Sequence, residues 1–134
     1  MEKLNLEPYA VYIRWSFSDK RTGEKWKELI EEFLDDLGNE CVQEKGVIGH
    51  IKCLSRLPGG EHIRGSKISS NYSADVEYSQ DFFAIKELNM ILNVLVYGIS
   101  FYFMSQLVNS SAKKKAEEKK IEVAVHPGDY QHNL

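Results

Sequence analysis

The chain opens on an alternation of apolar and polar positions. Tyr9, Val11, Ile13, Trp15 and Phe17 fall on one side of an extended segment, while Tyr12, Arg14 and Ser16 take the other, and this period of two predicts a strand. The period then changes. Trp26, Leu29, Ile30, Phe33, Leu34 and Leu37 recur every three or four residues, the stripe of a core-facing helix. Thr22 is placed to cap it, with Glu24 near the positive end of its dipole. Gly38 is a candidate stop, although Cys41 and Val42 carry the stripe one turn further.

Val47 to Leu57 reads as a second strand, Pro58-Gly59-Gly60 as a turn, and His62 to Ser69 as the return arm of a hairpin. After a further turn at Ser70-Asn71-Tyr72-Ser73, the alternation of Tyr72, Ala74, Val76 and Tyr78 predicts a peripheral fourth strand. Gln80 to Lys86 reads as a loop or short helical turn. Leu88 to Ile99 has the β-branched composition of a buried central strand. Ser100 is a plausible cap for a helix built on Phe101, Met104, Leu107, Val108, Ala112 and Ala116, whose last turns, Lys113 to Lys120, read as a solvated charged end. Ile121, Val123 and Val125 form a last short strand, stopped by His126-Pro127-Gly128-Asp129.

Two helices interleaved with strands in this order predict an α+β fold. We expect a ferredoxin-like open-faced sandwich: a mainly antiparallel sheet of five to six strands with two helices on one face. Residues 1–134 are read as a single domain with a short leader at 1–8 and a mobile tail at 127–134.

Composition narrows the function classes little. The chain has 134 residues, 43% of them apolar, enough for one core without metals or disulfides. With 17 basic and 20 acidic side chains, net charge points to no particular partner and makes nucleic acid an unfavoured one. Cys41 and Cys53 are too few for a disulfide framework, and Met1 to Asn5 lacks the apolar core of a signal peptide, so a cytoplasmic location is expected. The uncharged stretch Leu88 to Ala112 is long enough to span a bilayer. Its recurrent Asn, Ser and Gln, and the break at Gly98-Ile99-Ser100, favour a strand followed by a helix instead.

Phosphate-loop, dinucleotide and nucleophile-elbow motifs do not occur. Asp35 and Asp36 are neighbours in a helix and do not face each other, so an exposed acidic end is the simpler reading. His50, Cys53 and His62 suggest a metal site, but three positions along a strand put His50 and Cys53 on opposite faces. Only His50 and His62 remain as partners, an incomplete ligand set, and neither metal nor cofactor is expected. The outward sheet face is more promising: Tyr12, Arg14, His50, Lys52, His62 and Arg64 would bring basic and aromatic groups onto one surface. It suits an anion, an RNA base or an acidic partner, as well as an ordinary solvated face. Gly49 and Gly65 interrupt strands and suggest a bulge or close approach. Phe101, Tyr102 and Phe103 cannot all enter the core from one helix face, so Tyr102 or Phe103 is a candidate contact with a second copy in a homodimer.

Three segments, Val47-Ile48-Gly49-His50-Ile51-Lys52, Gly65-Ser66-Lys67-Ile68-Ser69 and Leu88 to Ser100, resemble the C-terminal accessory region of CobW-like P-loop GTPases, in particular archaeal versions associated with methanogens and corrinoid metabolism. The resemblance covers about half the chain. It implies an accessory domain standing without its GTPase, acting in metal or corrinoid cofactor handling through contacts with a P-loop GTPase or a corrinoid protein. The family's phosphate loop, magnesium ligands and cysteine-rich metal motif have no counterpart, so GTP hydrolysis does not carry over. Gly49, His50, Lys52, Ser66 and Ser69 fall within the matching segments and, with Arg14 and Arg64, form the expected partner surface.

The sequence therefore reads as a non-catalytic accessory or protein-interaction domain. Two alternatives stay open: an anion or nucleic-acid binder using the basic sheet face, and a small enzyme whose site is assembled at a dimer interface. The membrane is not an expected partner.

Overall fold

In the computed structural model, which describes residues 8–79 and 84–127, the elements run β1 (Tyr9–Arg21), α1 (Gly23–Gln43), β2 (Val47–Arg56), β3 (His62–Lys67), β4 (Asp75–Tyr78), β5 (Ile85–Tyr97), α2 (Phe101–Lys119) and β6 (Glu122–Pro127). The strands form one sheet in the order β4-β3-β2-β5-β1-β6, antiparallel at every junction. The inner arrangement β2-β5-β1-β6 interleaves β1-α1-β2 with β5-α2-β6, the ferredoxin-like pattern, and β3 with β4 widens the sheet beyond β2. The fold expected from the sequence is the one observed, with six strands.

The registers explain why the core lies on one side. Val11 pairs with Leu92, Leu92 with Cys53, Cys53 with Gly65 and Gly65 with Val76, and all five side positions are buried in one row. Parallel rows bring Trp15 to Leu88 and Ile13 to Met90. Helix α1 packs on β1 to β4, and α2 on β1 and β6. Both touch this apolar side, so among the described residues the opposite side is left open. Gly65 follows from the crowding there: a Cβ would stand 2.8 Å from Leu34 Cδ1 and 3.0 Å from Cys53 Sγ. It marks a close approach without a bulge, whereas Gly49 sits where the β2–β5 register shifts between Ile48 and His50.

Thr22 caps α1 by accepting from Lys25 N at 3.5 Å, and Ser100 caps α2 by accepting from Phe103 N at 3.1 Å. Gly38 does not end α1. The helix continues through buried Cys41 to Gln43, and the missing side chain leaves room for Lys67, whose Cε would lie 3.0 Å from a Cβ there. Lys67 is buried; its ammonium donates to Asp35 Oδ1 at 2.8 Å and to Tyr72 O at 2.7 Å, and Ala74 N donates to the same carboxylate oxygen at 2.8 Å. Asp36 meets Lys115 Nζ at 2.7 Å. The pair expected as an exposed acidic end is thus structural, because the facing strand and helix each supply a buried lysine.

Lys115 corrects another expectation. The end of α2 is not uniformly solvated: Lys115 is buried and also meets Glu118 at 2.9 Å and Glu32 at 3.4 Å. Burial disfavours its charge, but the Asp36 and Glu118 carboxylates outweigh that and raise its pKa above the ordinary lysine value. Lys119 bridges to Glu32 at 2.9 Å, and Ser111 donates to Glu40, so a polar seam joins the two helices.

The uncharged stretch beginning at Leu88 divides between β5 and α2, and no helix among the described residues is long and apolar enough to cross a membrane. The expected loop at 80–86 is partly replaced by β5, which starts at Ile85; residues 80–83, the leader at 1–7 and the tail from 128 lie outside the described residues. Pro127 does not stop β6 but ends it, pairing with Val11 on an edge strand where proline is tolerated.

Candidate binding face of the sheet

Alternation that buries one side of each strand sends the intervening residues to the open side, and the registers assemble them into rows. One row runs Glu77, Arg64, Leu54, Ile91, Tyr12, His126 across all six strands. Its centre is apolar: Leu54, Ile91 and Tyr12 lie on adjacent strands, and Ile91 is 40% exposed although it is large and hydrophobic. A second row carries His62 opposite Arg56 and Arg14 opposite Asn89, with Arg56 two residues beyond Leu54 on the same side. On the other flank, Lys52 pairs with Asn93 and Ser66, and Ser66 with Asp75. The apolar strip is therefore bordered by cations on both sides.

Shape matches this layout. A depression of about 640 Å³ lies over β2 and β3, lined by Lys52, Leu54, Arg56, Arg64, Ser66 and Ile91. Exposed acids at the sheet's edge balance part of the charge, and Arg64 meets Glu77 at 3.0 Å, a surface pair that adds little to stability.

Of the residues expected to form the surface, Arg14, Lys52, Arg64 and Ser66 share this open face, with His50 beyond Lys52 beside Leu95. Burial, with Lys52 nearby, lowers the His50 pKa below the usual histidine value. Gly49 belongs to the bulge that re-aims His50. Ser69 does not join them: β3 ends at Lys67, and Ser69 Oγ accepts from Asn71 N at 3.1 Å within the following turn. Its role there is to satisfy the backbone. His50 and His62 do not meet either. His62 pairs with Arg56, six residues along β2 from His50, a separation of roughly 20 Å at strand rise.

Cys53 points into the core, and burial pushes its thiol up to about 12; Cys41 is pushed up to about 12 in the same way. Neither is a nucleophile in this state. Among the described residues no group of three His, Cys, Asp or Glu is placed to hold a metal ion.

Arg56, Leu54, Ile91 and Asn89 were not assigned to the surface from the sequence. Their signal was present: Asn89, Ile91 and Asn93 alternate with Leu88, Met90 and Leu92. The β-branched richness of the segment masked it and suggested a strand buried on both sides, whereas β5 is buried on one.

Comparison with protein-family models, with curated proteins and with solved structures finds no match.

Proposed function

We propose that this chain is a non-catalytic interaction domain, cytoplasmic, that docks a partner protein on the open face of its sheet. The observation that carries the reading is the apolar strip Leu54-Ile91-Tyr12 bordered by Arg14, Arg56, Lys52 and Arg64, an arrangement with an apolar centre and a charged rim. It fits a partner segment with apolar side chains flanked by carboxylates. The resemblance of Val47–Lys52, Gly65–Ser69 and Leu88–Ser100 to the CobW-like accessory region suggests a P-loop GTPase or a corrinoid protein as that partner, with a part in metal or corrinoid handling.

The test is capture from native lysate with the tagged chain, followed by mass spectrometry of bound proteins and metals, in parallel with a His50→Ala/Lys52→Ala variant. A discrete protein recovered by the wild type and lost by the variant supports the proposal; its identity as a P-loop GTPase or corrinoid protein supports the finer version. Equal recovery by both chains counts against this surface.

A second reading rests on Arg56 and Arg14, with the His62 imidazole beside Arg56, a row that is also suited to phosphate groups. An anion or nucleic-acid binder would lose affinity steeply with added salt and on Arg14→Ala. A protein partner held at the apolar strip would depend on salt weakly and on Ile91 strongly.

A further inference from the structure

The sheet has two edges, and they differ in a way that bears on self-association. Edge strand β4 has four residues, and its exposed Asp75 and Glu77 flank Val76. Antiparallel pairing of two β4 strands about Val76 would set Asp75 against Glu77, a like-charge opposition that disfavours it. Edge strand β6 is different. Among the described residues β1 is its only strand partner, and it has no lysine, no bulge and no shift in its pairing with β1.

We propose that the edge of β6 that no described strand covers pairs antiparallel with β6 of a second copy of this chain, about a two-fold axis through Ala124. In that register Glu122 lies opposite His126 of the second copy, and His126 opposite its Glu122. Val123 lies opposite Val125, and Ala124 opposite itself. The match is specific to the register. Centring the axis on Val123 sets Glu122 against Ala124, and centring it on Val125 sets His126 against Ala124, so both lose the pairing of an imidazole N–H donor with a carboxylate. Glu122, Ala124 and His126 stand on the open side, opposite Ser16, Arg14 and Tyr12 of β1, and Val123 and Val125 on the core side, opposite Trp15 and Ile13. The valines are only half-buried at the edge, and pairing completes their cover.

Five residues of ladder are too few for a stable interface, which requires upwards of about 1,000 Å² in all. Helix α2 supplies the rest. Its Ser111 and Lys115 face α1, whereas Tyr102, nine residues before Ser111 and so about half a turn round the helix, faces away from α1. Tyr102 is 75% exposed, the most exposed of the large hydrophobic side chains among the described residues, and its hydroxyl accepts from Gln106 Nε2. The axis stands perpendicular to the sheet, so the open faces of both copies look the same way and join into one wider surface.

The experiment combines sedimentation equilibrium with cysteine cross-linking on the full chain. Directly opposed antiparallel residues have Cα atoms about 4.5 or 5.5 Å apart, both within disulfide reach, so Ala124→Cys is expected to cross-link under mild oxidation. Ser73→Cys, exposed in the β3–β4 turn, is the control and is expected to stay unlinked. His126→Glu places Glu122 against a carboxylate twice per dimer and is expected to raise the dissociation constant roughly tenfold. Glu122→Lys combined with His126→Glu sets an ammonium against a carboxylate in place of two carboxylates and is expected to bring the constant back. Glu122, His126 and Ser73 are exposed and Ala124 is half-buried, and a thermal melt confirms that each variant folds. A wild type that stays monomeric with no cross-linking at Ala124→Cys above the control overturns the proposal. A dimer that does not cross-link there, or is indifferent to the charge reversal, overturns it equally.

Discussion

Removing the Asp35 carboxylate is expected to weaken the fold more than removing its partner Lys67. In Asp35→Ala the buried Lys67 ammonium keeps only Tyr72 O, and the buried Ala74 amide loses its acceptor. An unsatisfied buried amide costs about 1–3 kcal/mol, and breaking a buried ion pair about 3–5 kcal/mol. The Asp35 side chain is 33% exposed, so water enters the gap and the smaller figures apply, giving about 4 kcal/mol in total. Lys67→Met retains the stem beside Gly38 and leaves Asp35 hydrated and still accepting from Ala74, so about 1 kcal/mol is expected. The double variant should cost less than the sum, because once the ammonium is gone the missing carboxylate no longer strands it. Urea denaturation of the four proteins measures this, with unchanged slopes showing that the states compared are the same. Strict additivity, or an Asp35→Ala cost below about 0.5 kcal/mol, would refute the account of this pair as a pin between α1, β3 and the turn before β4.

Further outcomes follow from packing and burial. Gly65→Ala drives a methyl against Leu34, Cys53 and Val76 and should cost about 1–3 kcal/mol in the same denaturation assay, whereas the exposed Gly60→Asn, at a positive φ that asparagine tolerates, should cost a few tenths. His50, measured by NMR titration, should have a pKa below about 6.5, and Lys52→Ala should raise it part of the way because burial is the larger cause. The sign follows: the unfolded chain takes up this proton first, so the contribution of His50 to stability is present above about pH 6.5 and is lost as pH falls toward the folded value. Cys41 and Cys53 should resist thiol reagents at pH 8 and label only at the rate of unfolding, which a mass-spectrometric time course reads directly.

The strongly periodic parts of the sequence carried the fold. Val11, Ile13 and Trp15 declare a one-sided strand, and Thr22 and Ser100 declare helix starts, because these patterns rest on local geometry alone. What failed needed long-range partners. Gly38 looks like a helix stop until Lys67 is seen to occupy the space it leaves, and Lys115 looks solvated until Asp36 is seen beside it. The open face was legible in part: Arg14, Lys52 and Arg64 follow from alternation, but only the β2–β5 register brings Leu54 beside Ile91 and separates His50 from His62. Ser69 was misplaced because strand ends are set by the turn, here by the Ser69 hydroxyl itself.

The open face is tested most directly by placing a charge at its centre. Ile91→Glu, with Gln43→Glu at the exposed end of α1 as control, is compared with the wild type in capture from native lysate, after a thermal melt has shown all three folded. The account predicts that a protein recovered by the wild type and the control is lost by Ile91→Glu. Undiminished recovery by Ile91→Glu would contradict it.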